Sequence, residues 1–366
     1  MTTIRDVARR AGVSISTVSR VVNQSAPVDP APAERVREAI ATLDYRPNLL
    51  ARSFRRRVTQ TIGLVVPDNS NPFFAEIARV IEDAGFAAGY SVILCNSDLS
   101  PIKQAAYVDA LIAKRVDGLI IVSSGLVMCG DEPDVMRSIL QAGIPCVAVD
   151  RDLGEMPVDR ILVDNEIGGE MAARFLTGLG HRHFACVGGP SERTPSAGRM
   201  AGFLRYLETL GDEIAPVTIV PGNGRYDGGA EAARALLDRH PGLTAAFTFN
   251  DLTAIGLIGA LHRAGLRVPD DFSVVGFDDI PQASTGIPAL TTIAQPMREM
   301  GQISVRMLLD RIANQDAPPR HVVLQTRLIE RESARTIDPR PRILAADVAQ
   351  QSAIAGSFSA GGGDSS

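Results

Sequence analysis

The chain has 366 residues, 45% of them hydrophobic, with a formal net charge of −5. That is long enough for two or three domains with sizeable cores, and no apolar run approaches the roughly 20 residues that would span a bilayer. The charge is uneven. Residues 1–58 carry 11 arginines against 5 acidic residues, a net of +6, while the remainder nets −11. A basic end on an acidic body is the pattern of a nucleic-acid-binding module joined to a part that does not bind it. The opening MTTIRDVARR has no apolar stretch of signal-peptide type. Cys95, Cys129, Cys146 and Cys186 are scattered without CxxC pairing or metal-type histidine spacing. They read as reduced thiols of a cytoplasmic protein, with no metal and no cofactor expected.

The first elements come at once. In TIRDVARRAGVSISTVSRVVN, Thr3 is a candidate N-cap with Asp6 three residues on, and Val7, Ala8 and Ala11 form an apolar stripe. Gly12 sits where a helix ends and the backbone turns sharply. Ser14 caps a second helix running to about Asn23, with Val18, Val21 and Val22 inward and Ile15, Ser16, Thr17, Ser19 and Arg20 outward. Two helices around a short Gly-containing turn make a helix-turn-helix, whose second helix enters a DNA major groove. A third helix over Ala33–Leu43 closes this small core with Val36, Ile40 and Leu43. Residues 49–57, short and helix-compatible, hold Arg52, Arg55, Arg56 and Arg57 and would be marginal as a helix alone in water.

The stretch AGVSISTVSRVVN resembles the DNA-binding headpiece of the lactose-repressor (LacI/GalR) family. By that resemblance Ile15, Ser16 and Arg20 reach base edges, Arg20 being the candidate for guanine, and Ser14, Thr17, Ser19 and Asn23 fix phosphates. Thr3 and Ile4 join the DNA-contacting set. Residues 49–57 would be the family's hinge helix, ordered on operator DNA, with Tyr45, Asn48, Arg52 and Phe54 at the minor groove. Phe54 stands where relatives usually place a leucine wedge, which leaves the preferred central base step open. The implied domains are a headpiece at 1–46 and a hinge at 47–59. A ligand-binding and dimerisation domain follows at 60–335, and 336–366 reads as a disordered tail rich in Ala, Gly, Ser and Asp.

From Thr61 strands alternate with helices. IGLVVP (62–67), SVILCN (91–96), GLIIVSS (118–124) and PCVAVD (145–150) are buried-strand runs separated by helical stretches near 73–88, 101–115 and 132–142. The alternation repeats with RILVDN (160–165), FACVGG (184–189), VTIVPG (217–222), AAFTFN (245–250) and SVVGFDD (273–279). The fold class expected is therefore α/β, with a helical headpiece and two doubly wound subdomains of periplasmic-binding-protein type. The first subdomain would take 60–160 plus 292–322 and the second 161–291 plus 323–335, with PALTTIAQP (288–296) as a return crossing. No leucine heptad appears in the tail, so a tetramerising coiled coil is not expected.

Polar and aromatic residues gather just after these strands, where a cleft should lie. Carboxylates, a guanidinium and amides can exchange paired hydrogen bonds with vicinal hydroxyls, and aromatic faces suit the C–H side of a sugar. The set is similar to that of ribose- and related monosaccharide-binding relatives. That likeness implies stacking by Phe73 and Phe74, with Asn71, Asp150, Arg151, Arg199, Asn250, Asp278 and Gln295 on the hydroxyls. Relatives often stack an aromatic near GNGRYDGG. Here Gly224 holds that place, with Tyr226 displaced, so the ligand could be larger than a pentose or packed differently. GHRHFACVGGPSERTPSAGRMAGF also resembles the purine repressor's counterpart, including Arg193 and Arg199. The expected partners are operator DNA, a monosaccharide effector and a second copy of the chain, with no membrane. Inducer release is favoured over corepressor tightening, and a purine corepressor is the alternative. A sugar-transport binding protein or a sugar-modifying enzyme would be other classes. No phosphate loop, nucleophile elbow or zinc spacing supports catalysis.

Overall fold

The computed structural model describes residues 2–23, 26–45, 58–122, 131–189, 195–239 and 242–337. The chain divides into two units, residues 1–59 and 60–366. The hinge segment with Asn48, Arg52 and Phe54 lies outside the described residues, as do Cys129, Arg193 and the tail from 338 onward.

The first unit contains α1 (Ile4–Ala11), α2 (Ile15–Asn23) and α3 (Pro30–Thr42). Asp6 closes the start of α1: its Oδ2 accepts from the Thr3 N–H at 3.0 Å and the Thr3 hydroxyl at 2.7 Å. These bonds, the hydroxyl's foremost, hold the Asp6 carboxyl below its usual range. Gly12 ends the helix at φ 64°, ψ 39°, a left-handed conformation that costs a glycine little and an L-residue about 1 kcal/mol or more. Val7, Val18 and Val36 from the three helices are fully buried together, and Arg35 Nε donates to the Ala11 carbonyl at 3.1 Å. The third helix starts at Pro30, three residues earlier than its apolar pattern suggests, because proline is well tolerated in a helix's first turn.

In the second unit the first sheet has the order β11-β5-β4-β3-β1-β2. Its strands are β1 (Thr61–Val66), β2 (Ser91–Asn96), β3 (Gly118–Val122), β4 (Cys146–Val149), β5 (Asp159–Val163) and β11 (His321–Leu324). The second sheet, β12-β10-β9-β8-β6-β7, holds β6 (Phe184–Gly188), β7 (Thr218–Pro221), β8 (Ala245–Thr248), β9 (Ser273–Asp278), β10 (Thr291–Ala294) and β12 (Arg327–Ile329). Every pairing is parallel except β12 on β10. The helices between them are α4 (Pro72–Ala87), α5 (Pro101–Ala113), α6 (Asp131–Gln141), α7 (Asn165–Gly178), α8 (Pro195–Glu208), α9 (Tyr226–Arg239), α10 (Asp251–Arg263), α11 (Pro281–Thr285) and α12 (Met297–Ala313).

The chain passes between the subdomains at Asp164, at Gln295–Pro296 and at Gln325–Thr326. This shifts the boundaries read from sequence. β5 belongs wholly to the first sheet, so a boundary at 160/161 would cut it; β10 belongs to the second sheet, so the return crossing comes after Ala294 and not at 292. The last crossing likewise follows β11, which ends at Leu324. Sheet membership here is decided by which edge a strand finds, as β11 finds β5. Of the tail expected from 336, the first residues remain attached: the Ile337 N–H donates to the Leu179 carbonyl at 3.0 Å.

Candidate functional site

The headpiece presents one helix end and one face. Ser14 Oγ accepts the Thr17 N–H at 3.1 Å and lies 2.7 Å from Ser16 Oγ and 2.9 Å from Thr17 Oγ1, so it caps α2 through its side chain. Val18 anchors the helix inward. Ser16 and Arg20, one turn apart, are exposed, and Ile15 is 43% exposed despite being apolar. Thr17 and Ser19 are half-buried beside them, as is Ile4, while Thr3 is exposed at the start of α1. An open helix N-terminus with hydroxyls and a nearby guanidinium suits phosphate and base-edge contact. Tyr45 is half-buried against the headpiece core, and its N–H donates to the Ile40 carbonyl at 3.0 Å.

In the second unit the carboxyl ends of both sheets face one cleft, where ligands of open α/β sheets bind. Asp68, Asn71, Phe73, Phe74, Leu99 and Asp150 line it from the first subdomain; Ser196, Arg199, Asn223, Gly224, Arg225, Phe249, Asn250 and Asp278 line it from the second. The space, its open mouth included, is about 590 Å³. Asn71 and Asn250 each have a double position. Asn71 Oδ1 caps α4 through the Phe73 N–H, and Asn250 Oδ1 caps α10 through the Thr253 N–H, both at 3.0 Å. Asn250 Nδ2 donates to the Gly224 carbonyl at 3.0 Å, and both residues still border the cleft. Phe73 and Phe74 are buried and pack edge to face, centroids 5.0 Å apart, so core and cleft wall are the same surface there.

Arg199 is the centre of the charged floor. It is 5% exposed. Its Nε donates to Asn165 Oδ1 at 2.8 Å and its Nη1 to the Phe249 carbonyl at 2.7 Å and to Asp278 Oδ1 at 3.2 Å. The guanidinium also lies 3.9 Å from the Phe277 ring centroid. Asp278 Oδ1 accepts from Gln295 Nε2 at 2.7 Å as well. Asp150, from the other subdomain, has no such satisfaction: it is 4% exposed and its Oδ1 has no protein partner among the described residues. Burial pushes the Asp150 carboxyl up to about 7, with Arg199 opposing and Asp278 adding. Burial likewise pushes Asp278 up to about 6 against Arg199 and Gln295. Both backbones are unusual for aspartate, φ 62° at Asp150 and 119° at Asp278, and strain of this kind collects at ligand sites.

A family model described as bacterial regulatory proteins, lacI family, matches residues 3–48, and one described as a periplasmic binding protein-like domain matches 173–334. The HTH-type transcriptional repressor PurR of Proteus mirabilis is 39% identical over 336 residues, covering 91% of this chain and 97% of that one. The ribose operon repressor of Halalkalibacterium halodurans is 37% identical over 335 residues, covering 92% and 98%. The chain belongs to the lacI family of bacterial regulatory proteins. Among solved structures, the lac repressor dimer bound to operator and the anti-inducer ONPF matches at 31% identity and a TM-score of 0.81, covering 91% of this lacI-family chain and 99% of that one.

Of the cleft residues expected from sequence, Asn71, Phe73, Phe74, Asp150, Arg199, Asn250 and Asp278 come together. Arg151 and Gln295 do not line the space: Arg151 is half-buried beside it, and Gln295 stands behind Asp278 and holds it. Asp251, one residue past Asn250, is a strut. It is fully buried, accepts from Thr292 Oγ1 at 2.6 Å and the Ile280 N–H at 2.9 Å, and has its carboxyl raised by burial and then by Asp278. Asp68, Leu99, Ser196, Asn223, Arg225 and Phe249 line the cleft too, outside the set expected from sequence. Asp68 and Asn223 share the signal used for the others, a polar residue within two positions of a strand's end. Gly224 has φ 83°, and a Cβ there would meet Phe249 at 3.5 Å.

Proposed function

We propose that this lacI-family regulator is a cytoplasmic repressor. It binds a pseudo-palindromic operator as a homodimer and is released by a monosaccharide, a pentose or hexose, held between its subdomains. The observation that carries the effector reading is the buried Asp150 oxygen without a partner among the described residues, in a cleft it shares with Arg199, Asp278 and the helix-capping Asn71 and Asn250. A buried acceptor is costly until a donor reaches it, and a polyol supplies donors and acceptors on adjacent carbons, matching carboxylate, guanidinium and amide in one contact set. Phe73 and Phe74 offer the apolar side.

The dimer and the operator follow the lac repressor complex, and the sugar follows the ribose operon repressor as well as the cleft. Binding that favours one inter-subdomain arrangement shifts the spacing of two hinge segments in the dimer, and with it their fit to DNA. Switching an operator from mostly bound to mostly free takes a differential affinity of several kcal/mol. A purine corepressor is the second reading, favoured by the 39% identity to a PurR repressor.

The test is a thermal-shift panel of the full chain with D-ribose, other pentoses and hexoses, sugar phosphates, hypoxanthine and guanine. Effector at 100 times its dissociation constant adds about 2.7 kcal/mol. A neutral sugar should shift the wild type and leave Asp150→Asn unmoved, and should weaken binding to an operator selected from random duplexes. A response to purines alone, with tighter operator binding, would replace the sugar reading.

A further inference from the structure

The cleft mouth carries an ion pair that the recognition of hydroxyls leaves unused. After β7 the loop Gly222–Arg225 is fixed by its own contacts: Asn223 Oδ1 accepts the Arg225 N–H at 2.9 Å, and Asn223 Nδ2 donates to Asp227 Oδ1 at 3.1 Å. From this loop, on the second subdomain, Arg225 crosses to the first. Its Nη2 is 2.9 Å from Asp68 Oδ2 and 3.9 Å from Asp98 Oδ1. Asp68 is pre-set to receive it. Its Oδ1 accepts the Ser70 N–H at 3.0 Å and the Ser70 hydroxyl at 2.6 Å, and its side chain is only 9% exposed. Asp98 also faces Lys103 Nζ at 3.3 Å.

An ordinary surface pair is weak because both side chains must be ordered and water screens them. Here one partner is already ordered and largely out of water, so most of the ordering cost falls on Arg225 alone. The contact also spans two bodies joined by three crossings, so it forms only when they are close.

We propose that Arg225 is a positioning residue of the cleft: paired with Asp68 and backed by Asp98, it holds the two subdomains together before any ligand arrives. It thereby sets the fraction of molecules ready to enclose the effector, and so the apparent affinity, while the floor residues choose the ligand. The role in affinity rests on the cleft being the effector site; the closure itself does not, and the test uses no ligand.

The chain contains no tryptophan, so single reporters can be placed on each wall: Phe74→Trp on the first subdomain and Phe249→Trp on the second. Acrylamide quenching of each is measured in the ligand-free full chain, alone and combined with Arg225→Ala or Arg225→Lys, at 50 mM and 1 M KCl. The expected result is a severalfold rise in quenching at both reporters with Arg225→Ala, reversed by Arg225→Lys. High salt should reproduce the rise in the Arg225 chain and add nothing to the alanine variant. A rise at Phe249→Trp alone means the neighbouring loop has loosened and overturns the proposal, as does no rise at either reporter. A rise at both that lysine fails to reverse would trace to the packing of the arginine stem and overturn the ion pair as its cause.

Discussion

Asp150→Asn removes a charge while keeping the side chain's shape, and its effect on stability should depend on pH in a calculable way. An aspartate ionises near 3.8 in the unfolded chain, and burial raises Asp150 to about 7 in the fold. The folded state therefore holds the proton more tightly, and stability falls as pH rises from about 4 to about 7. Each unit is worth about 1.4 kcal/mol, so the cost of the buried charge is on the order of 4 kcal/mol at pH 8 and on the order of 1–2 kcal/mol at pH 5. Asparagine does not ionise and escapes this cost. The variant should be the more stable protein at pH 8, with its advantage smaller by about 2–3 kcal/mol at pH 5. For a unit of this size that is a narrowing of the melting-point gap by roughly 3–5 °C. The assay is calorimetry of the ligand-free chain at fixed protein concentration from pH 5 to pH 8. A gap that stays constant across that range, or a variant less stable than wild type at pH 8, would refute the account of Asp150 as an uncompensated buried carboxylate.

Gly169→Ala should damage the same site through packing: a Cβ there would lie 1.8 Å from the Arg199 carbonyl, so α8 must move away from α7. Overpacking of this kind costs about 1–3 kcal/mol, and calorimetry should show the lower melting point, with sugar-induced shifts lost because Arg199 is displaced. Ser14→Ala removes the side-chain cap of α2 and should cost about 1 kcal/mol of headpiece stability, read as a loss of operator affinity in a mobility-shift titration that Ser14→Thr largely restores. Arg20→Ala should weaken specific binding far more than non-specific binding; equal losses on operator and random duplex in the same titration would reassign Arg20 to phosphate contact.

Much of the second unit was legible because buried parallel strands leave contiguous β-branched runs, and GLIIV or FACVG needs little else to be recognised. The headpiece was legible for a different reason. Its turn needs a left-handed residue and its second helix needs a hydroxyl cap, and Gly12 and Ser14 supply both. What stayed hidden was set by tertiary choices. Whether β5 or β10 joins one sheet or the other depends on which edge is vacant, a fact absent from either strand's own residues, and the short β11 and β12 carry little pattern at all. In the cleft, Asp150, Arg199 and Asp278 could be found from their places after strands. Gln295 shared that placement, yet it holds Asp278 from behind and does not meet the space. Arg225 looked like one more charged loop residue, since its partner lies 157 positions away.

The interleaved path of the chain through its two subdomains also governs the order in which they can be completed during synthesis. The first sheet has five of its strands by Val163, but its sixth, β11, begins only at His321, and α12, which packs on α4, spans Met297–Ala313. At 5–20 residues per second, a ribosome takes on the order of 10–30 seconds to make the intervening stretch. Until then one edge of the sheet, at β5, and the part of α4 that packs on α12 stay uncovered, so the nascent protein passes through a stage in which a nearly finished subdomain waits, sticky, for its last pieces. The second subdomain is then the insulator that must emerge and fold in between, and slowing its folding should expose the first to aggregation and to chaperone capture.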